Sequence, residues 1–194
     1  IAEFVKVVPM YEISVMIGFF TGILIMSYFV SKCLSAVNDA AMVIIEESNN
    51  QIKNILRTNC KPDYHKVISI LTKASLKEMI LPTLLPVFII ITGFAIFNYS
   101  LDYNQALLFL AGVMQSIVII GVTLGIKMTI AGGAWDNAKK AIESSGKKNT
   151  PMHKAAVTGD VVGDPFKDTA GPAINPIIKL LSIVCILIVV ITSI

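Results

Sequence analysis

Four apolar stretches, each long enough to cross a lipid bilayer, constrain this chain more than any other feature. They cover residues of about 11–37, 80–97, 106–130 and 171–194. A helix needs about 20 apolar residues to cross the hydrocarbon core, and a helix satisfies its own backbone polar groups there. We therefore predict an all-α integral membrane protein, with about four transmembrane helices in a single membrane domain over residues 1–194.

The charge and cysteine content exclude several other classes of protein. Hydrophobic residues make up 55% of the chain and charged residues only 15%, which is too apolar for an ordinary soluble domain. The net charge of +3 is modest, so we expect no nucleic-acid partner. The three cysteines lack the spacing of a metal or redox site. Because the chain starts with isoleucine and has no signal-peptide pattern, we expect a piece of a longer polypeptide.

The distribution of basic residues predicts how the helices are oriented in the membrane. Segments of about 40–78 and 136–168 carry many lysines, whereas the connection at 98–105 has no Lys or Arg. Positive residues stay on the cytoplasmic side of a membrane. We therefore predict that both basic segments are cytosolic and that the C-terminus is extracytoplasmic. In the first segment, a turn at 59–62 is expected to separate two helices.

Three aspartates recur every four residues just before the last apolar stretch. Asp160, Asp164 and Asp168 would share one face of a helix, and Asn175 and Lys179 continue the stripe into the predicted span. Stacked carboxylates repel each other unless a cation sits on them, and oxygen ligands favour Mg²⁺ or Ca²⁺ over zinc. An acidic helix end in solvent would explain the first two aspartates. It would not explain polar residues inside a span, where ionisable groups are functional candidates.

A second group of charged residues ends the third apolar stretch. Asp136 lies three and four residues before Lys139 and Lys140, so the three side chains share a helix face. A carboxylate beside ammonium groups suits a phosphate with bound metal, and glycines at 132 and 133 allow close packing. The alternative is that Trp135 anchors the helix at the membrane interface and the lysines only mark the cytosolic side.

The two groups are predicted to meet. The loop between them, about 144–153, is short, so the helices on either side should be antiparallel neighbours. Four aspartates and three lysines would then converge at the cytosolic mouth, which is typical of a phosphoryl-transfer site with Mg²⁺. We assign no role to His65 or His153.

Several motifs resemble one known family, the membrane-integral, ion-pumping pyrophosphatases. They are GGAWDNAKK at 132–140, HKAAVTGD at 153–160 and GDPFKDTAGP at 163–172, followed by Asn175 and Lys179. The resemblance spans essentially the whole chain. It implies hydrolysis of inorganic pyrophosphate on the cytosolic side and pumping of H⁺ or Na⁺. It also implies a homodimer with about sixteen helices per subunit, of which this chain resembles the C-terminal four, so that the chain alone would be inactive without the missing N-terminal helices.

The resemblance also implies roles for individual residues. Candidate ligands for Mg²⁺ bridging pyrophosphate are Asp136, Asp160, Asp164 and Asp168. Candidate substrate-binding lysines are Lys139, Lys140 and Lys167. The expected catalytic residues are Asp164, Asp168 and Lys167, and the expected ion-gate residues are Lys179 and Asn175. In this family the nucleophilic water is activated by aspartates on earlier helices, which this chain lacks.

Three positions depart from the family pattern and leave alternatives open. Ile130 replaces an asparagine, Lys127 stands where small polar residues are usual, and residues 48–51 replace a basic run. One alternative is a non-catalytic membrane remnant, and another is a separate subunit of a split pump. A third is a transporter of metal ions or anions that does not hydrolyse its ligand.

Overall fold

The computed structural model describes residues 8–193, and within that range it is built from helices and short connections. The helices are α1 (Ile13–Thr58), α2 (Tyr64–Ser100), α3 (Tyr103–Ser144), α4 (Pro151–Asp164), a π-helical turn (Pro165–Ala170) and α5 (Gly171–Thr192). The predicted all-α class is therefore confirmed. Ile194, the last residue of the predicted fourth span, lies outside the described residues.

The predicted spans 80–97 and 106–130 lie within longer helices. The span predicted at 11–37 starts two residues before α1, which continues well beyond it, and the span predicted at 171–194 corresponds to α5. Four helices in the described part of the chain are long and apolar enough to cross a membrane: α1, α2, α3, and α4 to α5 taken together. Because α1 has 46 residues, it is about 69 Å long, more than twice the thickness of the hydrocarbon core. The predicted cytosolic segments 40–78 and 136–168 are therefore mostly helical extensions of the spans.

Polar side chains at the connections determine where these helices start. Asp63, Asp102 and Thr150 are the N-caps of α2, α3 and α4, and each accepts a hydrogen bond from a backbone N–H three residues later. At the other end of the first connection, Asn59 has a left-handed backbone with φ of 53° and ends α1. The predicted break at 59–62 is confirmed, because residues 59–63 are not helical.

A small polar cluster joins the end of α1 to the start of α2. Gln51 donates a hydrogen bond from Nε2 to Glu47 Oε1 at 2.9 Å and accepts one through Oε1 from the Asp63 backbone N–H at 2.9 Å. Glu47 also pairs with Lys66 Nζ at 2.9 Å. These contacts connect the last turns of α1 to the first turn of α2.

Helix α3 lies at the centre of the bundle and contacts every other helical element. Its approach to α1 depends on small residues, since a Cβ on Gly18 would overlap the Phe109 carbonyl oxygen and one on Gly112 would overlap that of Val15. Such close packing of small residues is a common way for membrane helices to associate. The apolar core around α3 includes fully buried Ile90 and Leu181.

The residues that lead from α4 into the last span contain an irregularity that the sequence pattern did not predict. The aspartate stripe assumed one regular helix, but residues Pro165–Ala170 form a π-helical turn. Pro165 has no N–H to continue the α-helical hydrogen bonds, and the Gly171 N–H bonds to the Phe166 carbonyl instead. A π-turn inserts one residue into a helix and changes which side chains face a neighbour. Asp168 lies in this turn.

Candidate functional site

The two charged motifs meet where α3 packs against α4 and the π-turn. A Cβ on Gly132 would overlap the Gly163 carbonyl oxygen and lie 2.7 Å from Lys167 Cβ. Farther along the same contact, a Cβ on Gly159 would overlap the ring of Trp135. The predicted antiparallel pairing of these helices is present, and glycines allow their backbones to approach closely.

Asp136 on α3 is surrounded by three lysines. Its carboxylate accepts hydrogen bonds from Lys140 Nζ at 2.8 Å and from Lys167 Nζ at 3.2 Å, and Lys139 Nζ lies 3.9 Å away. The hydrogen bond from Lys140, followed by the one from Lys167, holds the pKa of the Asp136 carboxyl below its usual value. Asp136 is therefore an ionised carboxylate at neutral pH, as a metal ligand or counter-charge must be.

Lys167 in the π-turn connects α3 with the aspartate stripe. Besides bonding to Asp136, its ammonium lies 3.5 Å from Asp164 Oδ1 and 3.7 Å from Asp168 Oδ2. The hydrogen bond to Asp136 is the largest cause of a raised pKa at Lys167. Since Asp164 and Asp168 keep 49% and 64% of their side chains exposed, both have oxygens open to a ligand.

Lys139 also forms an ion pair with Asp160, which links α3 to α4. The Lys139 ammonium donates to Asp160 Oδ2, and this hydrogen bond raises the pKa of Lys139. The Asp160 side chain is only 6% exposed, whereas Lys139 is 26% exposed. Asp160 thus differs from Asp164 and Asp168 in being enclosed between the two helices.

The predicted convergence of the two motifs is therefore present in the fold. We use the name aspartate–lysine cluster for the seven residues that α3, α4 and the π-turn bring together: Asp136, Lys139, Lys140, Asp160, Asp164, Lys167 and Asp168. Near-equal numbers of carboxylates and ammonium groups stabilise each other, and the side chains of Lys140, Asp164 and Asp168 are exposed. Such a surface can bind an anion such as a phosphate through its lysines and a divalent cation through its aspartates.

The structure does not bring Asn175 and Lys179 into this cluster. Both lie on α5, and both are exposed on the surface of the four-helix unit. Lys179 follows Asp168 by eleven residues, which corresponds to about 16 Å along a helix. Lys127 and Ile130, the two residues of α3 that depart from the family pattern, are likewise exposed.

A buried histidine near the cluster was missed by the sequence analysis, which placed it in a polar loop. His153 is only 8% exposed in the first turn of α4. Its Nδ1 accepts a bond from the Asn149 backbone N–H at 3.3 Å, so the ring proton is on Nε2, which lies 2.9 Å from Glu143 Oε1. The buried positions of α4, which are His153, Ala156, Asp160 and Gly163, have helical spacing. This periodicity was the signal that could have identified it.

The carboxylates of the cluster can form part of a magnesium site. Among residues 8–193, no three His, Cys, Asp or Glu side chains are arranged to hold a metal ion by themselves. However, Mg²⁺ in phosphate sites is usually bound by one or two carboxylates together with phosphate oxygens and water. Asp136, Asp164 and Asp168 fit that requirement, because each presents carboxylate oxygens that are not fully buried.

Comparison with known proteins places these motifs in one family. The family model described as inorganic H⁺ pyrophosphatase matches residues 2–188. A K⁺-insensitive pyrophosphate-energized proton pump of Pyrobaculum aerophilum is 42% identical over 186 residues, which are 94% of this chain and 24% of that protein. A protein of the same description from Methanosarcina mazei is 40% identical over 179 residues, 89% of this chain and 25% of that protein.

A relative with a different description matches almost as well. The putative K⁺-stimulated pyrophosphate-energized sodium pump of Bacteroides thetaiotaomicron is 37% identical over 195 residues, which correspond to 95% of this chain and 26% of that protein. The chain therefore spans about a quarter of the length of the curated relatives that it matches.

Proposed function

The chain belongs to the inorganic H⁺ pyrophosphatase family, and we propose that it supplies part of the site at which a longer membrane protein hydrolyses inorganic pyrophosphate and couples hydrolysis to ion pumping. The observation that carries this proposal is the aspartate–lysine cluster, in which four carboxylates and three ammonium groups from two motifs face one another. The four helices alone would be inactive, since the groups that activate the attacking water would lie on other helices.

The lysines of the cluster suit the charge of pyrophosphate. Lys139, Lys140 and Lys167 would bind its phosphate oxygens as point charges. The carboxylates of Asp136, Asp164 and Asp168 would hold Mg²⁺ against the same oxygens, with Asp160 as the remaining candidate among the four. Bound Mg²⁺ would neutralise the charge that develops on the phosphoryl group. Asp164, Asp168 and Lys167 would thus be the catalytic residues of this part of the site.

The proposed topology places the cluster on the cytosolic side and the C-terminus on the opposite side. Its support is the excess of Lys and Arg in the segments 40–78 and 136–168, compared with none in the connection 98–105. Consecutive helices alternate in direction, so all four spans agree with one orientation.

Lys179 and Asn175 would act in ion transport below the cluster. A lysine at this depth of a membrane needs a carboxylate partner or a polar cavity. Its exposure on the four-helix unit fits a partner on another helix of the complete protein, which would form a homodimer of about sixteen-helix subunits. We propose H⁺ as the transported ion, because the two most similar relatives quoted above are described as proton pumps. The alternative is Na⁺, as in the description of the third, and sodium-dependent turnover would identify it.

The hydrolysis proposal is tested by removing one exposed carboxylate at a time. In the complete polypeptide, Asp164→Ala or Asp168→Ala should abolish Mg²⁺-dependent release of phosphate from pyrophosphate. Asp63→Asn is the matched control, because it removes a carboxylate far along the chain while asparagine still caps α2. Retained turnover in both alanine variants would disprove the assignment. A wild-type protein that binds pyrophosphate with Mg²⁺ but releases no phosphate would indicate the remnant or the transporter instead.

The gate proposal needs a measurement that separates transport from hydrolysis. In sealed vesicles, Lys179→Met should reduce ion transport at least as much as it reduces phosphate release. Lys154→Met, an exposed lysine on α4, serves as the control. A Lys179 variant with a normal number of ions transported per pyrophosphate would exclude a gate role for this residue.

A further inference from the structure

The face of α4 that packs against α3 carries two charged or polar side chains, and both find partners on α3. His153 bonds to Glu143, and Asp160 pairs with Lys139. On α4, Asp160 lies seven residues after His153, whereas on α3 Lys139 lies four residues before Glu143. The opposite directions of these two steps are those expected for antiparallel helices. The two contacts therefore form consecutive links between the same pair of helices.

Asp160 differs in its surroundings from the other three aspartates of the cluster. Its side chain is 6% exposed, against 18% for Asp136, 49% for Asp164 and 64% for Asp168. Its Oδ2 is occupied by the Lys139 ammonium. Its Oδ1 is buried and has no hydrogen-bond partner among residues 8–193. Neither oxygen is open to a hydrated Mg²⁺ ion, which keeps several of its waters when it binds.

The position of Asp160 is determined by close backbone packing. Gly159, the preceding residue, lies against the ring of Trp135, and Gly163 lies against Gly132 with a hypothetical Cβ 3.0 Å from the Gly132 Cα. Because these contacts bring the backbones of α3 and α4 directly together, the carboxylate of Asp160 lies at a defined position relative to α3. Lys139, a long flexible side chain on α3, is thereby given a rigid anchor.

We propose that Asp160 is a positioning residue, which holds the Lys139 ammonium in place for a phosphate group of the substrate, and that it does not bind the metal. This inference rests on the proposed function. Anchoring a lysine in advance reduces the conformational entropy that is lost when the substrate binds. The neighbouring Lys140 has no such anchor: it is 65% exposed and bonds to Asp136 on its own helix. Lys139 is thus the preorganised lysine on α3 and Lys140 the adaptable one.

The test compares Asp160→Asn and Lys139→Met with the double variant in the complete protein, all checked for native thermal unfolding. If Asp160 acts through Lys139, Asp160→Asn should raise the KM for pyrophosphate by about tenfold or more, the effect of one charge-assisted contact. The Mg²⁺ concentration for half-maximal activation should not change, and the double variant should be no worse than Lys139→Met. A raised Mg²⁺ requirement, or a further loss in the double variant, would overturn the proposal.

The double variant still tests the proposal if the Asp160→Asn protein does not fold. Removing both partners of a buried ion pair is better tolerated than removing one, so the double variant is then compared directly with the wild type. If Asp160 is a metal ligand, the double variant should need a higher Mg²⁺ concentration for half-maximal activation. An unchanged Mg²⁺ requirement supports a positioning role, and a raised one overturns it.

A measurement without turnover separates failure of this inference from failure of the proposed function. Amine-selective labelling, read by mass spectrometry, should modify Lys139 several-fold faster in Asp160→Asn than in the wild type, with Lys140 as an internal reference. Unchanged labelling of Lys139 would show that Asp160 does not hold it. If labelling rises but the wild type releases no phosphate, the anchoring of Lys139 stands and the pyrophosphatase proposal fails.

Discussion

Gly132 and Gly163 lie in direct backbone contact where α3 crosses the end of α4. A side chain on Gly132 would overlap the Gly163 carbonyl and press on Lys167. We expect Gly132→Ala to cost about 1–3 kcal/mol, the usual cost of overpacking. It should also reduce turnover of the complete protein by about 100-fold, because a shift of about 1 Å at a reacting group has that effect. Thermal unfolding and phosphate release measure the two effects.

Gly133 provides the matched control for that substitution. Gly133 is also a glycine and follows Gly132 directly, but no atom lies within 4 Å of a Cβ built on it. Gly133→Ala should therefore keep activity and gain up to about 1 kcal/mol from helix propensity. Equal losses in the two variants would mean that the contact between Gly132 and Gly163 does not organise the site.

The Asp63 side chain stabilises the start of α2. Its Oδ1 accepts a hydrogen bond from the Lys66 backbone N–H at 3.0 Å. Loss of such a cap costs about 1 kcal/mol, so Asp63→Ala should speed amide hydrogen exchange in the first turn of α2. Asp63→Asn, which can still accept the bond, should exchange like the wild type. Identical exchange in all three proteins would rule out a capping role.

His153 should hold the first turn of α4 against the end of α3. His153→Leu removes the bonds to Glu143 and to the Asn149 N–H, and we expect faster amide exchange over the first turn of α4. His153→Gln, whose amide can still donate towards Glu143, should restore part of the protection. His65→Leu, an exposed histidine on α2, should have no effect on α4. Protection that does not respond to His153→Leu would contradict this interpretation.

The contact between α1 and α2 should depend on pH through Glu47. The hydrogen bond from Gln51, followed by the one from Lys66, lowers the pKa of Glu47. A carboxyl whose pKa is lower in the folded state stabilises the fold above its unfolded pKa of about 4.3, and this stabilisation is lost as the pH falls through the folded value. Amide exchange at 59–63, corrected for its intrinsic rate, should therefore be constant near neutrality and rise below about pH 4.3.

Two variants separate Glu47 from its neighbours in that experiment. Glu47→Gln removes the titrating group, so the pH-dependent step should disappear. Glu46→Gln changes the exposed adjacent residue and should leave the step as it is in the wild type. A step that persists in Glu47→Gln would assign it to another carboxyl.

Local patterns were sufficient to predict the helices and most of their limits. Apolar runs of spanning length identified four long helices, and the turn residues at 59–62 identified the break between α1 and α2. The spacing of Asp136, Lys139 and Lys140 predicted that their side chains share one helix face. In the structure both lysines lie near the Asp136 carboxylate, as expected. These predictions succeed because each depends on residues that are near one another in the chain.

The π-turn at Pro165–Ala170 could not be predicted in the same way. The two prolines at 165 and 172 remove backbone N–H groups, but several helical arrangements can accommodate that loss. In the π-helical arrangement that the structure contains, both Gly163 and Lys167 pack against Gly132 of α3. Asp168 consequently lies beside Lys167 and away from the enclosed Asp160.

By itself, the sequence determined that residues 8–193 contain four helices long and apolar enough to cross a membrane, and that the charged motifs lie on neighbouring helices. Only the tertiary structure decided which aspartate pairs with which lysine. Asp136 meets Lys167 across 31 positions of the chain, and Asp160 meets Lys139 across 21. Such pairings depend on how closely two helix backbones approach, and here that distance is set by the contact between Gly132 and Gly163. Helical periodicity predicts a face of a helix but not its distance from another.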